Sequence, residues 1–361
     1  DLIIRPVTVG VAIGTGSTDS LTSNVRVEGV IIESLTPHPF DSLANWIAGI
    51  QAYHSTKLVI EGVTITGLDA SEVVDPGGMK VTGIQLSDCD DVTIEDVVIS
   101  DLFGALGGMA RGITGSTSDG LTLSSVEVSG LTAYEGGSVE GVSLYNQSGA
   151  LTFTGLRFSG FVGGSQSASA GDPPTDAGVA IGIDVGTGTE SSTDPIVMRD
   201  IHISGLQAGA ISATDAPVYA AGIRVDTNRP LAIRHLLISG IHAQGGGQSA
   251  EQLIGTLIGV DVMRTFNSLI EQAVFDDIGA GLTENTGRAV VVSGYGVTED
   301  VIVKNSIVHH VRGVAFEVTT TSGQGGILVR NGLIGPDRPW HYAHHYGEES
   351  YGEDVTFVET Q

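Results

Sequence analysis

Apolar and polar positions alternate along this chain in short bursts, and the bursts recur. An eleven-residue phrase begins at Val25 (VRVEGVIIESL) and returns at Leu58, Val92, Leu121, Leu151, Ile196, Leu231, Ser268, Val301 and Ile327, ten copies spaced 26 to 45 residues apart. Positions 1, 3, 6, 8 and 11 of the phrase are apolar. The alternation therefore holds, slips by one at position 5, and resumes, which predicts two short strands joined by a bend. Position 5 carries Gly29, Gly62, Asp96, Gly155, Asp200, His235, Asn305 and Asn331, residue types that tolerate the left-handed backbone a bend needs. Position 9 repeats serine at Ser100, Ser129, Ser159, Ser204 and Ser239, expected to cap and turn the backbone.

A second phrase precedes most copies: AGIQA (48–52), TGIQL (82–86), RGITG (111–115), EGVSL (140–144), IGIDV (181–185), AGIRV (221–225) and IGVDV (258–262). It predicts a third strand per repeat. One such turn cannot bury its own apolar positions, whereas stacked turns can, each inward residue sitting on its equivalent in the next. The pattern resembles the right-handed parallel β-helix of pectate-lyase-like proteins, over roughly residues 9–335. The resemblance implies an all-β solenoid of about ten rungs, three short strands per rung, and a rod roughly 45–50 Å long. Val27, Ile60, Ile94, Leu123, Phe153, Met198, Ile233, Ile270, Val303 and Val329, each at position 3, are expected to form one inward stack. The shortest copies leave too little chain for the four-stranded blades of a propeller, and no helical period suggests leucine-rich repeats. The long linkers, such as 36–48, 162–181 and 242–258, all leave from one corner. Residues 1–335 form the solenoid in this reading. Residues 336–361, rich in His and aromatics, form a tail over its end, while the Asp1 end is left open and prone to self-association.

Composition narrows the partners. Acids number 42 against 16 bases, a net charge of −26, so the chain is expected to bind neither nucleic acid nor anionic lipid. No apolar run is long enough to span a membrane. A single cysteine, Cys89, excludes an internal disulfide framework. The start at Asp1, without Met, reads as a processed product, and the expected location is secreted or at the cell surface.

The usual catalytic signatures, from Walker loop to zinc motifs, are absent. So are the Asn-Thr-Asp, Gly-His-Gly and Arg-Ile-Lys set of polygalacturonases and the Tyr-Gly-x-Asp-Pro-His of alginate epimerases, so the resemblance implies a fold and no activity. Stacking supplies candidates instead. The outward position of the Gly-Ile strand reads Asp184, Arg224, Asp261 on successive rungs. An arginine between two carboxylates suits a sugar acid, and two carboxylates about 9–10 Å apart suit acid–base chemistry. The alternative is an exposed charge ladder, with Arg224 bridging its neighbours in open solvent, and it is the ladder that is expected. Position 7 stacks Glu127, Arg157 and His202. Asp88, Asp90 and Asp91 crowd one turn and are a candidate for Ca2+. His341, His344 and His345, with Glu348, form a candidate transition-metal set. The function expected is a β-helix scaffold or binding protein that contacts a glycan or itself. The alternative is a polysaccharide lyase or glycoside hydrolase.

Overall fold

Among the described residues, strand pairs with strand in parallel. The computed structural model describes residues 9–14, 21–37, 46–71, 73, 79–134, 136–164, 178–186, 192–210, 218–245, 255–280, 287–294, 301–320, 327–330, 332–334, 339–344, 351–353 and 356–357. One wall is an 11-stranded sheet whose strands follow in chain order. Its members include Trp46–Tyr53, Lys80–Ser87, Met109–Ser116, Ser138–Tyr145, Val179–Gly186, Val218–Asp226 and Gly255–Met263. Between consecutive members the chain passes through the eleven-residue phrase, whose two halves pair with the same halves of the neighbouring coils. Parallel pairing of elements one coil apart on three walls is a parallel β-helix. Among the described residues no helix is long and apolar enough to cross a membrane.

The core follows from the register. Val27 pairs with Ile60, Ile60 with Ile94, Ile94 with Leu123, and so on through Phe153, Met198, Ile233, Ile270 and Val303 to Val329. Val27 is 8% exposed and the other nine are at 0%. The expected inward stack is therefore continuous. Position 11 adds a second column, with Leu68, Leu102, Leu131, Phe161, Leu206, Ile241 and Ile278 all fully buried.

The corners obey the residue types. Gly29, Gly62, Asp96, Gly155, Asp200, His235 and Asn305 at position 5 all have φ between 51° and 67°, as their tolerance of left-handed backbone predicts. Ser125 and Gln272 adopt it too. Asn331 lies outside the described residues. A second left-handed bend falls at position 10, at Gly67, Asp101, Gly130, Gly160, Gly205, Gly240 and Asp277. It corrects the reading of the serines: the residue after them turns the chain, while Ser100, Ser129, Ser159, Ser204 and Ser239 stack in register on the wall.

The glycine of the Gly-Ile phrase also has a physical cause. A Cβ on Gly141 would lie 2.5 Å from the Gly182 carbonyl oxygen and 2.5 Å from the Phe158 ring, and one on Gly222 would lie 2.6 Å from both the Gly259 oxygen and Ile238. The large position-8 side chain of each coil fills the space that this glycine leaves. Both the glycine and the following apolar residue face the core. The residue before the glycine and the second residue after it are then both left on the outer face.

Arg229 is the largest fully buried side chain among the described residues. Its guanidinium donates to the carbonyl oxygens of Asp194 (2.7 Å), Gln147 (3.1 Å) and Gly149, tying three corner segments together. Burial pulls its pKa below the usual arginine value.

Beyond Gly335, where the sequence pattern breaks, Pro339–His344, Tyr351–Glu353 and Thr356–Phe357 pair in parallel with the three walls of the preceding coil. The described part of the tail thus lies on that coil as strands in its register. The repeated phrase predicts no strands there, because the apolar spacing of the tail departs from it; the backbone ladder needs no such spacing.

Two outcomes test this packing. Ile233→Asp places an unpaired charge at a fully buried site and should cost more than about 4 kcal/mol, read as loss of the β-sheet circular-dichroism signal. Gly141→Ala must push the Gly182 carbonyl or Phe158 aside and should cost about 1–3 kcal/mol, read as a lower urea midpoint with the fold retained.

Candidate functional site

The outer face of the 11-stranded sheet carries charges that are not in open water. Asp184 pairs with Arg224 in the ladder, and Arg224 with Asp261, so the three fall on successive strands as expected. Arg224 grips Asp184 with two hydrogen bonds, Nε to Oδ1 at 2.8 Å and Nη2 to Oδ2 at 2.5 Å. Asp261 accepts from the Tyr219 hydroxyl at 3.2 Å. The Tyr219 ring lies beside the Arg224 guanidinium, 5.8 Å from its centroid, close enough for a cation–π contact. The expectation of an open ladder is overturned by burial. Asp261 is 4% exposed, and the side chains of Asp184 and Arg224 are 14% and 33% exposed. A ladder in solvent would leave all three wet.

Sequence reasoning missed the neighbours. Arg111 forms an ion pair with Glu140 (Nε–Oε2, 2.8 Å), and Arg288 pairs with Glu317. Glu140 and Glu317 are each 7% exposed. Gln51 donates to the Tyr53 hydroxyl and to Gln85. Beside these charges Ile181, Ala221, Ile258 and Val291 form a buried apolar cluster separate from the main core, with Val179 and Tyr219 packed against it. Arg111 and Glu140 stand in RGITG and EGVSL, immediately before the glycine. The signal is present, but simple alternation marks only the second residue after the glycine as outward. The glycine's break in alternation puts both there.

Burial shifts the titrations. It raises the Asp184 carboxyl above the usual carboxylate range, although Arg224 opposes the shift. Burial raises the Tyr219 phenol too, with Asp261 adding to the effect. Burial works against the Arg224 charge, but Asp184, followed by Tyr219 and Glu140, outweighs it and holds the guanidinium more firmly protonated.

The other candidates are placed elsewhere. Glu127, Arg157 and His202 do stack in register, but on the third wall. Glu127 and Arg157 are exposed, and no ion pair among the described residues joins the three. Asp88, Asp90 and Asp91 are exposed at a corner, with Asp88 and Asp91 in left-handed backbone. Asp88 lies 3.8 Å from His54. Among the described residues no three His, Cys, Asp or Glu side chains converge on a metal-sized site, so the three aspartates are not brought together for calcium. The left-handed bends at Asp88 and Asp91 turn the chain on either side of Cys89, which is buried in the core. His341 and His344 lie in the strand Pro339–His344. His345 and Glu348 lie outside the described residues, as do most of the long loops within 36–48, 162–181 and 242–258.

No protein-family model matches the chain, and no curated protein matches it. Among solved structures it is similar to the A-module of the Azotobacter vinelandii mannuronan C-5 epimerase AlgE6, at 15% identity over 97% of this chain and 88% of that one, with a TM-score of 0.48. It is also similar to the catalytic domain of a GH87 α-1,3-glucanase in complex with nigerose, at 12% identity over 93% of this chain, and to the GH136 lacto-N-biosidase from Eubacterium ramulus, at 7% over 97%, both with TM-scores of 0.38. The chain spans less than two thirds of the last two, 63% and 59%. At these identities the likeness is one of fold alone, the parallel β-helix that the strand pairings already display.

Two measurements check the site. Because burial raises the folded-state pKa of Asp184 above its ordinary value of 3.8, the folded chain holds that proton more tightly than the unfolded one. The contribution to stability is fully present below about pH 3.8 and is lost as pH rises through the folded pKa. Wild type should therefore gain stability relative to Asp184→Asn as pH falls from 7 towards 4, in paired urea titrations. Arg224→Ala leaves the Asp184 carboxylate without its partner in a largely buried setting. It should cost about 1–3 kcal/mol, where an exposed ladder would lose well under about 1 kcal/mol.

Proposed function

We propose that the protein binds a linear, uncharged polysaccharide along the outer face of the 11-stranded sheet, with Tyr219, Arg224, Asp184 and Asp261 at the centre of the contact. The observation that carries this reading is the burial of charge on an outer face. A chain with 42 acids has no need to withdraw Glu140, Asp184, Asp261 and Glu317 from water for solubility. Grouped with guanidiniums, amides and a tyrosine beside an apolar cluster, these side chains offer the paired donors and acceptors and the aromatic surface that sugar rings use. The polymer is uncharged because each arginine is already matched: Arg111 by Glu140, Arg224 by Asp184 and Arg288 by Glu317. With Asp261 and the exposed Lys80 added, the face carries four carboxylates and four cations, a balance that suits a neutral polymer. Strands about 4.8 Å apart repeat these groups along the rod, as an extended polymer requires.

Isothermal calorimetry with linear neutral oligosaccharides tests the proposal. Wild type should bind, Tyr219→Ala and Asp261→Asn should each weaken binding at least about tenfold, and Thr122→Ala on the second wall should not. Binding of uronic-acid oligomers alone, or equal binding by all variants, would overturn it.

A second reading is that the same face cleaves the glycan. It is favoured by the raised pKa of Asp184, which suits a general acid, with Asp261 two strands away as the partnering carboxylate. Release of reducing ends that Asp184→Asn and Asp261→Asn each abolish at saturating glycan, with binding retained in Asp184→Asn, would establish it. Retained cleavage in both variants would remove it.

A further inference from the structure

The second wall, formed by positions 1 to 4 of the phrase, carries a charge gradient that composition does not explain. Its position-4 column reads Glu28, Glu61, Glu95, Ser124, Thr154, Arg199, Arg234, Glu271, Lys304, Arg330, in unbroken register over nine strand-to-strand steps. Four of the chain's 16 Lys and Arg fall in the last five of these places. The first three places are all acidic, and the centre is uncharged. The outward column beside it, position 2, follows the same division: Arg26 and Val59 lead, Thr93, Thr122 and Thr152 fill the centre, and Val197, Ala232, Leu269, Ile302 and Leu328 occupy the far half, half-buried.

Pairs within the chain leave the gradient in place. Arg26 binds Glu28 at 2.8 Å and also Glu61, so the first three rungs hold three carboxylates against one guanidinium. Glu271 lies 3.4 Å from Arg234 and 3.1 Å from Lys304. Glu353 follows Arg330 in the ladder, one coil further on. Even with it counted, the basic half holds four cations against two carboxylates.

We propose that this wall is the interface of a two-fold symmetric dimer in which two copies lie side by side and antiparallel. A two-fold axis between the Thr152 and Val197 rungs sets Glu28 opposite Arg330 of the second copy, Glu61 opposite Lys304, Ser124 opposite Arg234 and Thr154 opposite Arg199, each contact occurring twice. Glu95 faces Glu271, which already has two cationic neighbours. In the same register the apolar half of position 2 covers the valine and threonines of the partner. A parallel arrangement would place like charge on like charge and is excluded by the same column. An unrelated anionic partner would need the basic half but not the matched acidic half, and the presence of both favours a second copy.

The strip is about 43 Å long at about 4.8 Å per step and about 10–12 Å wide. Some 1,000 Å² would be buried between two copies, at the low end of specific interfaces. Two chains of net charge −26 also repel one another at long range. The dimer should therefore be reversible, with its equilibrium set by local charge pairs.

Sedimentation equilibrium of the 361-residue chain, with Glu61→Lys, Lys304→Glu and the double swap, decides the matter. Each single reversal should raise the dimer dissociation constant at least about tenfold. The double swap should restore it, since each introduced charge then faces its opposite across the two-fold axis. The milder Glu61→Gln and Lys304→Gln should weaken dimerisation in the same direction, and circular dichroism should match wild type for all of them. A monomer at every concentration, unaffected dimerisation in the single variants, or no rescue by the double swap would overturn the proposal. So would capture of a polyanion such as polyglutamate that Lys304→Glu abolishes and Glu61→Lys leaves intact.

Discussion

Each inward apolar side chain rests on its equivalent one coil further along, and everything else in this molecule depends on that contact. It fixes the register of every strand pair, because a slip of one residue would turn the Val27-to-Val329 stack outward. With the register fixed inside, it is fixed outside as well. Outer residues have no freedom to choose neighbours: each lies about 4.8 Å from the same position of the next coil. A charge on this surface must therefore be placed with its column in mind. Asp184 beside Arg224, Arg111 beside Glu140, and Glu271 between Arg234 and Lys304 all alternate in sign along the ladder.

The three walls use that rule differently. On the second wall charge is sorted by distance along the rod, leaving opposite halves of opposite sign. On the third, Glu127, Arg157 and His202 stand in line at the surface with apolar residues further along. On the 11-stranded sheet Arg111, Arg224 and Arg288 are each matched by a carboxylate, and Glu140, Asp184, Asp261 and Glu317 are withdrawn from solvent beside an apolar cluster. Matching and burial together cost desolvation that a purely structural surface would avoid by staying wet. That difference is why we propose this wall as the face that meets a ligand, and the pairing of each of its arginines is why we propose an uncharged one.

The sequence was most legible where period and residue type agree. Ten copies of one phrase specify the coils, and the glycine, aspartate and asparagine at position 5 specify their first bend. The second bend is less legible because the repeated serine at position 9 is itself a turn-forming residue beside the Gly or Asp of position 10 that makes the bend. At the candidate site the column Asp184, Arg224, Asp261 could be read from spacing, but its surroundings could not. Burial depends on which groups from other strands crowd the same face, and Tyr219 enters through the bond it donates to Asp261, its ring beside Arg224 and its packing on the apolar cluster. Arg111 and Glu140 were visible in their phrases yet assigned no direction, because the glycine that follows them breaks simple alternation. Arg229 had no signal at all: its carbonyl partners sit on two other corners, at Gln147 and Gly149 and at Asp194, which lie far from it in sequence.

The most direct test of the central claim is a crystal structure of the chain soaked with linear neutral oligosaccharides. The account predicts ordered sugar rings on the outer face of the 11-stranded sheet, running along the rod, with one ring against Tyr219 and hydroxyls bonded to the Arg224–Asp184 pair and to Asp261. Ordered sugar on the second or third wall, or none on this face at saturating concentration, would contradict it.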